Sequence, residues 1–272
     1  MLTRRVIPVV LMRGGVAVQS RGFRRYQPLG NPVTIVERLS DWASDELIYL
    51  DITRDGRYDL GRDDLGAANR DGVLAILDDI ASRCFMPLTF GGGIRSVEDA
   101  AVRIDRGADK VSVRGGALED GGIVDGLARE YGSQCVVGCV DAKRDEEVGG
   151  WVVHEDGRDV VGWARELEER GAGEILVQSV DCDGRGRGYD LELIGAVSGA
   201  VGVPVIALGG AGEWEHMVEA IGAGADAVAG ANIFNHTEQS VVKAKRYLEG
   251  AGVHVRGVGV AERVGGGTEC AA

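Results

Sequence analysis

Short apolar runs alternate with longer amphipathic ones from the N-terminus to about position 250, the pattern of repeated strand–helix units. Strands are expected at 6–11, 47–51, 88–90, 110–113, 135–140, 175–179, 205–208 and 227–229. The clearest helical patterns fall at 73–82, 97–106, 123–131, 160–170, 191–197, 213–221 and 239–248. Eight strands with helical crossovers form a parallel sheet that must bury both faces, and closing it into a barrel does so. An open doubly wound sheet would normally carry a glycine fingerprint after its first strand, and Arg13-Gly14-Gly15-Val16 does not supply one. The expected fold is therefore one α/β domain, a (β/α)8 barrel over 1–256, followed by a glycine-rich tail at 257–272 expected to be disordered.

An internal repeat supports the barrel. Gly91-Gly92-Gly93, a helix and Gly107-Ala108-Asp109 reappear as Gly209-Gly210-Ala211-Gly212, a helix and Gly224-Ala225-Asp226, with 15 residues from Gly92 to Gly107 and from Gly209 to Gly224. Two similar half-barrels follow, with the third and fourth strands equivalent to the seventh and eighth. The charged stretch 54–65 lies outside the repeat and reads as a solvated loop.

Composition narrows the partners. The net charge is −13, and only four of the 30 basic residues are lysines. Such a surface repels nucleic acid and anionic membranes, and resembles the surfaces of proteins from salt-loving organisms. No apolar stretch reaches the roughly 20 residues that cross a bilayer. Five cysteines without a CxxC pair, an odd count and no secretory segment point to a reducing cytoplasm. The four histidines have no metal-ligand spacing and read as surface residues, so neither metal nor cofactor is expected.

Catalytic groups of such barrels sit at the C-terminal strand ends. There the sequence places glycines (Gly91 to Gly93, Gly184, Gly209, Gly210, Gly230), whose bare N–H groups suit phosphate. Two matching glycine sets suggest two phosphate seats on opposite sides of the mouth. It also places the carboxylates Asp51, Asp141, Asp181 and Asp183 there, candidates for acid–base work or for capping loops. Asp141, directly after an apolar run, is the strongest candidate for catalysis.

The stretches Asp45-Glu-Leu-Ile-Tyr-Leu-Asp-Ile-Thr53, Phe90-Gly-Gly-Gly-Ile94, Arg106-Gly-Ala-Asp-Lys-Val-Ser112, Val140-Asp-Ala-Lys-Arg144 and Leu208-Gly-Gly-Ala-Gly212 closely resemble the cyclase subunit of imidazole glycerol phosphate synthase. In that enzyme a separate glutaminase releases ammonia, which crosses the barrel to a bisphosphorylated ribonucleotide. The resemblance implies a charged gate of Arg5, Glu46, Lys110 and Glu174 at the barrel bottom, a docked glutaminase, and a catalytic Asp141, with Asp51 and Asp181 as possible helpers. It implies a phosphate-facing set of Gly92, Gly93, Arg114, Gly115, Asp183, Gly184, Gly209, Gly210, Ala231 and Asn232.

The pattern also departs from that family. The second catalytic aspartate should end the first strand, where this chain has Leu11, and the lysine that follows it is Gln19. Arg114 and Gly115 stand where small polar residues are usual, and Leu208 replaces a serine. The opening Arg5-Val-Ile-Pro-Val-Val10 and Cys84-Phe-Met-Pro-Leu88 are similar to a divergent branch, barrels associated with acetamidino modification of surface-glycan sugars beside a glutaminase and a sugar amidotransferase. The leading expectation is an ammonia-conducting barrel of that kind. The alternatives are an authentic histidine-pathway cyclase and a non-catalytic scaffold that activates a glutaminase; a sister isomerase barrel would need no gate.

Overall fold

A computed structural model describes residues 3–54, 56–58, 72–236 and 238–257. The 59–65 part of the charged stretch and the tail from 258 onward lie outside the described residues. Eight parallel strands form the barrel: β1 (Arg5–Arg13), β4 (Leu47–Asp51), β5 (Leu88–Gly91), β6 (Lys110–Val113), β7 (Val136–Asp145), β9 (Glu174–Ser179), β10 (Val205–Leu208) and β11 (Ala227–Gly230). They pair in that order, and β11 pairs β1 with Arg5 opposite Ala227, which closes the sheet. Closure removes every edge of the parallel sheet. All eight expected strands are present.

Helices α1 (Pro32–Asp41), α2 (Val73–Ala81), α3 (Val97–Asp105), α5 (Gly122–Tyr131), α6 (Val160–Glu169), α7 (Leu191–Ser198), α8 (Trp214–Gly222) and α9 (Ser240–Gly250) surround it, with the short α4 (Gly115–Glu119) after β6. Ser96, Asp159 and Asp190 cap α3, α6 and α7 by accepting N–H bonds from the first turn. The outward strand residues and the inner helix faces make two large clusters, one around Tyr49, Phe90 and Leu77, the other around Trp163, Val140 and Leu167. A third cluster fills the barrel itself: Ile7, Val9, Leu11, Ile48, Val137, Cys139, Leu176, Ile206 and Leu208. The interior is therefore a packed core.

Alternation along the strands fixes what else points inward. Residues two apart share a face, so Arg5, Ile7, Val9 and Leu11 project into the barrel from β1, and Val137, Cys139 and Asp141 do so from β7. The half-barrel repeat holds at the level of hydrogen bonds. The Asp109 carboxylate accepts the Leu88 N–H (2.8 Å), and the Asp226 carboxylate accepts the Val205 N–H (3.1 Å), each tying a strand's start to the next strand.

Two hairpins were not anticipated. β2 (Val16–Arg21) and β3 (Arg25–Gly30) form an antiparallel pair running on from β1 above the mouth. β7 overshoots the barrel and pairs with β8 (Gly150–Val153), Arg144 opposite Trp151. Both are charged and interrupted in sequence, so their alternation is weak.

Candidate active site

At the barrel bottom the four gate candidates meet. The Arg5 guanidinium lies 2.6 Å from Glu46 and 2.7 Å from Glu174; the Lys110 ammonium lies 2.5 Å from Glu46 and 2.9 Å from Glu174. Each cation touches both anions, so the ring closes and its formal charge is zero. Thr89 donates to Glu46 (3.3 Å) from the next strand. The glutamates are more deeply buried than the cations, and the pull of both glutamates raises the Arg5 pKa against the opposing cost of burial, the largest single influence on it. Such a ring is costly to desolvate and stable only when every charge is paired, as here. Next to it, Lys245 is buried and donates to Asp45 (2.6 Å) and to the Ala43 carbonyl (2.7 Å), while Asp45 accepts the Val6 N–H (3.0 Å). Asp45 and Val6 are the chain neighbours of Glu46 and Arg5, so this tie fixes both gate residues in register.

At the opposite end the mouth holds two cavities. The larger, about 740 Å³, is lined by Asp51, Gly92, Gly93, Arg114, Gly115 and Asp141 among others, with Phe23, Tyr26, Leu50 and Ile52 as an apolar wall. The smaller, about 540 Å³, is lined by Gly184, Gly209, Gly210, Ala231 and Asn232, together with Asp183, Gln19 and Trp214. Leu11 and Gln178 line both. The two glycine sets of the repeat thus face two separate cavities. Their glycines are required sterically: a Cβ on Gly92 would fall 2.0 Å from the Asp51 carbonyl oxygen, and one on Gly210 would fall 2.0 Å from that of Gly188.

Asp141 lies on the wall of the larger cavity, at the C-terminal end of the barrel part of β7. Its side chain is 13% exposed, with the Arg114 Nε 2.6 Å from its Oδ2. The Nε–H does not point at that oxygen, so the contact is a close ion pair without a hydrogen bond. Burial raises the carboxyl to about 6; Arg114 opposes the rise, and Asp183 and Glu155 add to it. A carboxyl at that value can both give and take a proton near neutrality. Arg114 also donates to the His154 carbonyl (2.9 Å) and lies 3.6 Å from Glu155, which in turn pairs with Arg54.

The other acids have different surroundings. Asp51 accepts the Tyr58 hydroxyl (2.6 Å) and the Thr53 N–H (2.9 Å), ordering the chain after β4 at the cavity edge. Asp181 accepts the Arg144 N–H (2.8 Å), which holds the β7 overshoot, and it lines neither cavity. Asp183 is buried beneath the β2–β3 hairpin, accepting from the Ser20 hydroxyl (2.7 Å) and the Phe23 N–H (3.2 Å). Both hairpin bonds fall on Oδ2, while Oδ1 accepts from the Gln178 amide (3.5 Å) at the wall of the smaller cavity. Asn232 donates to the Ser20 carbonyl (3.1 Å) and anchors the same hairpin. His236 and His254 are exposed, whereas His154 and His216 are partly covered; the His216 Nδ1 accepts the Gly212 and Glu213 N–H groups. Among the described residues, no group of His, Cys, Asp or Glu could hold a metal ion, and no helix is long and apolar enough to cross a membrane.

The sequence model for the histidine biosynthesis protein family matches residues 5–240. The chain belongs to that family. The match spans the whole closed barrel, from the ring residue Arg5 through β11. Within this family member, Leu11 ends the inward face of β1 between the two cavities, and the nearby acids Asp51 and Asp183 each accept hydrogen bonds from neighbouring segments.

Proposed function

We propose that this chain is the ammonia-conducting barrel of a glutamine-dependent amidotransferase system, serving acetamidino modification of a surface-glycan sugar rather than imidazole ring closure. One observation carries this reading: a complete four-charge ring closes the barrel bottom, while at the mouth above it Leu11 stands where the resemblance implies a second catalytic aspartate beside Asp141. A neutral ring of interlocked charges is a plausible seal to ions that an uncharged ammonia molecule could pass when it opens. Ring closure with release of a carboxamide requires a proton to be given at one atom and taken at another, and a leucine at position 11 can do neither. Cytoplasmic glutaminase and sugar-amidotransferase partners would supply ammonia below and the acceptor above.

The family match and the Asp141 pKa near 6 favour a second reading, an authentic histidine-pathway cyclase. One experiment separates the two. The purified chain is given the histidine-pathway ribonucleotide and ammonium salts in low and in high potassium chloride. The amidotransferase reading expects no turnover from a folded sample that still binds a glutaminase; steady turnover in either salt would reject it in favour of the cyclase.

A further inference from the structure

Arg103 lies on α3, on the stripe with Ala100 that faces the barrel, where an apolar residue would ordinarily pack. It is 6% exposed, yet among the described residues it forms no ion pair, and its Nε has no hydrogen-bond partner. A buried charge without a counter-ion is costly. Asp99 and Asp51 are near enough to favour the charged form, but burial outweighs them and lowers the pKa below that of an ordinary arginine. The guanidinium makes two bonds, both to carbonyls: Asp99 O at 2.6 Å and Gly92 O at 3.1 Å.

The second of these bonds has a geometric consequence. A trans peptide is planar, so a carbonyl and the next N–H point in opposite directions. With the Gly92 carbonyl turned back onto Arg103, the Gly93 N–H points away from it. Gly93 is exposed on the wall of the larger cavity, and among the described residues its N–H has no hydrogen-bond partner. A Cβ built on Gly93 would lie 3.5 Å from the Arg103 Nη2, so the buried cation sits directly behind this residue.

We infer that Arg103 is the positioning residue of an anion seat at Gly92 and Gly93: it holds the Gly92 carbonyl so that the Gly93 N–H faces the cavity, and it places a buried positive charge behind the bound anion. The anion is a phosphoryl group on the ligand, whose charge supplies the counter-ion Arg103 lacks. The inference rests on the phosphate seat that the sequence leads one to expect at these glycines and is independent of whether ammonia crosses the barrel.

The test uses the full chain, inorganic phosphate as probe, and constant ionic strength set with potassium chloride. Phosphate titration followed by the Gly93 amide resonance of the wild-type protein should move that proton downfield. Equilibrium dialysis should show Arg103→Met weakening phosphate binding at this seat about ten-fold, as expected when a charge-assisted contact is lost, with Arg103→Lys recovering part of it. The second seat, at Gly209 and Gly210, should keep its affinity in both variants. An unmoved Gly93 resonance, or Arg103→Met binding within two-fold of wild type, overturns the inference. Should Arg103→Met not fold, Arg103→Lys and the wild-type resonance decide alone. Phosphate binding that depends on Arg103 in a chain that recruits no glutaminase would reject the conduit and leave this inference standing; the converse pair of results would do the reverse.

Discussion

At the scale of single residues, the mouth is governed by the balance at Asp141. Its carboxyl keeps a proton to about pH 6 in the fold, against an ordinary value of 3.8. Between those values the folded chain binds more protons than the unfolded one, so this group makes folding less favourable as pH rises through the window. Asp141→Asn removes that dependence. The stability of the variant relative to wild type should therefore climb from about pH 4 to about pH 6 and level off above, by no more than about 3 kcal/mol. Urea melts at a series of pH values would show it, and a flat difference would mean that Asp141 titrates normally. The Arg114 attraction is already contained in the value of about 6, and any difference between the neutral acid and the amide adds a constant offset, so the slope is the diagnostic quantity. Leu11 needs no such balance: it packs with Val9, Val18 and Leu50, which is why an apolar residue at this site leaves the barrel intact while removing an acid from it.

At the scale of elements, the β2–β3 hairpin is held over the mouth chiefly by one side chain. Asp183 takes the Ser20 hydroxyl and Phe23 N–H, and its own carbonyl accepts the Gly22 N–H at 3.1 Å. Asp183→Ala strips two of these bonds and leaves the buried Ser20 hydroxyl and the part-buried Phe23 N–H unpaired, a cost of about 1–3 kcal/mol that falls mainly on the hairpin. Amide hydrogen exchange should quicken at residues 20–26 and stay unchanged in β9 and β10. Uniform quickening would show that the hairpin and barrel unfold as one unit. Asp183, expected among the phosphate-facing residues, lines the smaller cavity, and the hairpin that bonds its Oδ2 comes from a segment 160 residues earlier in the chain.

At the scale of the whole molecule, the four-charge ring draws its members from β1, β6, β9 and the residue before β4, so it forms only once the barrel closes. Glu46→Ala takes one anion from both cations and leaves Glu174 to serve two. With the cations partly solvated, the expected loss is about 2 kcal/mol, below the 3–5 kcal/mol typical of a fully buried pair. A fall in the thermal midpoint that raised salt reduces would agree with an ionic origin; no fall would mean the ring is not a structural tie.

The sequence alone determined the barrel, because alternation of short apolar runs and amphipathic segments is a local property, and a parallel sheet with that pattern has few ways to bury both faces. It also determined the half-barrel repeat and the place of Asp141, since strand ends can be located without coordinates, whereas the four ring residues were picked out only through the family resemblance. Tertiary structure decided what each polar group does once there. That Asp181 serves a strand overshoot and Asp183 a hairpin, that Arg114 lies against Asp141, and that Arg103 is buried behind Gly93 all depend on segments far apart in the chain. Burial and neighbours, set only when the barrel closes, fix a carboxylate's partner and a charge's cost.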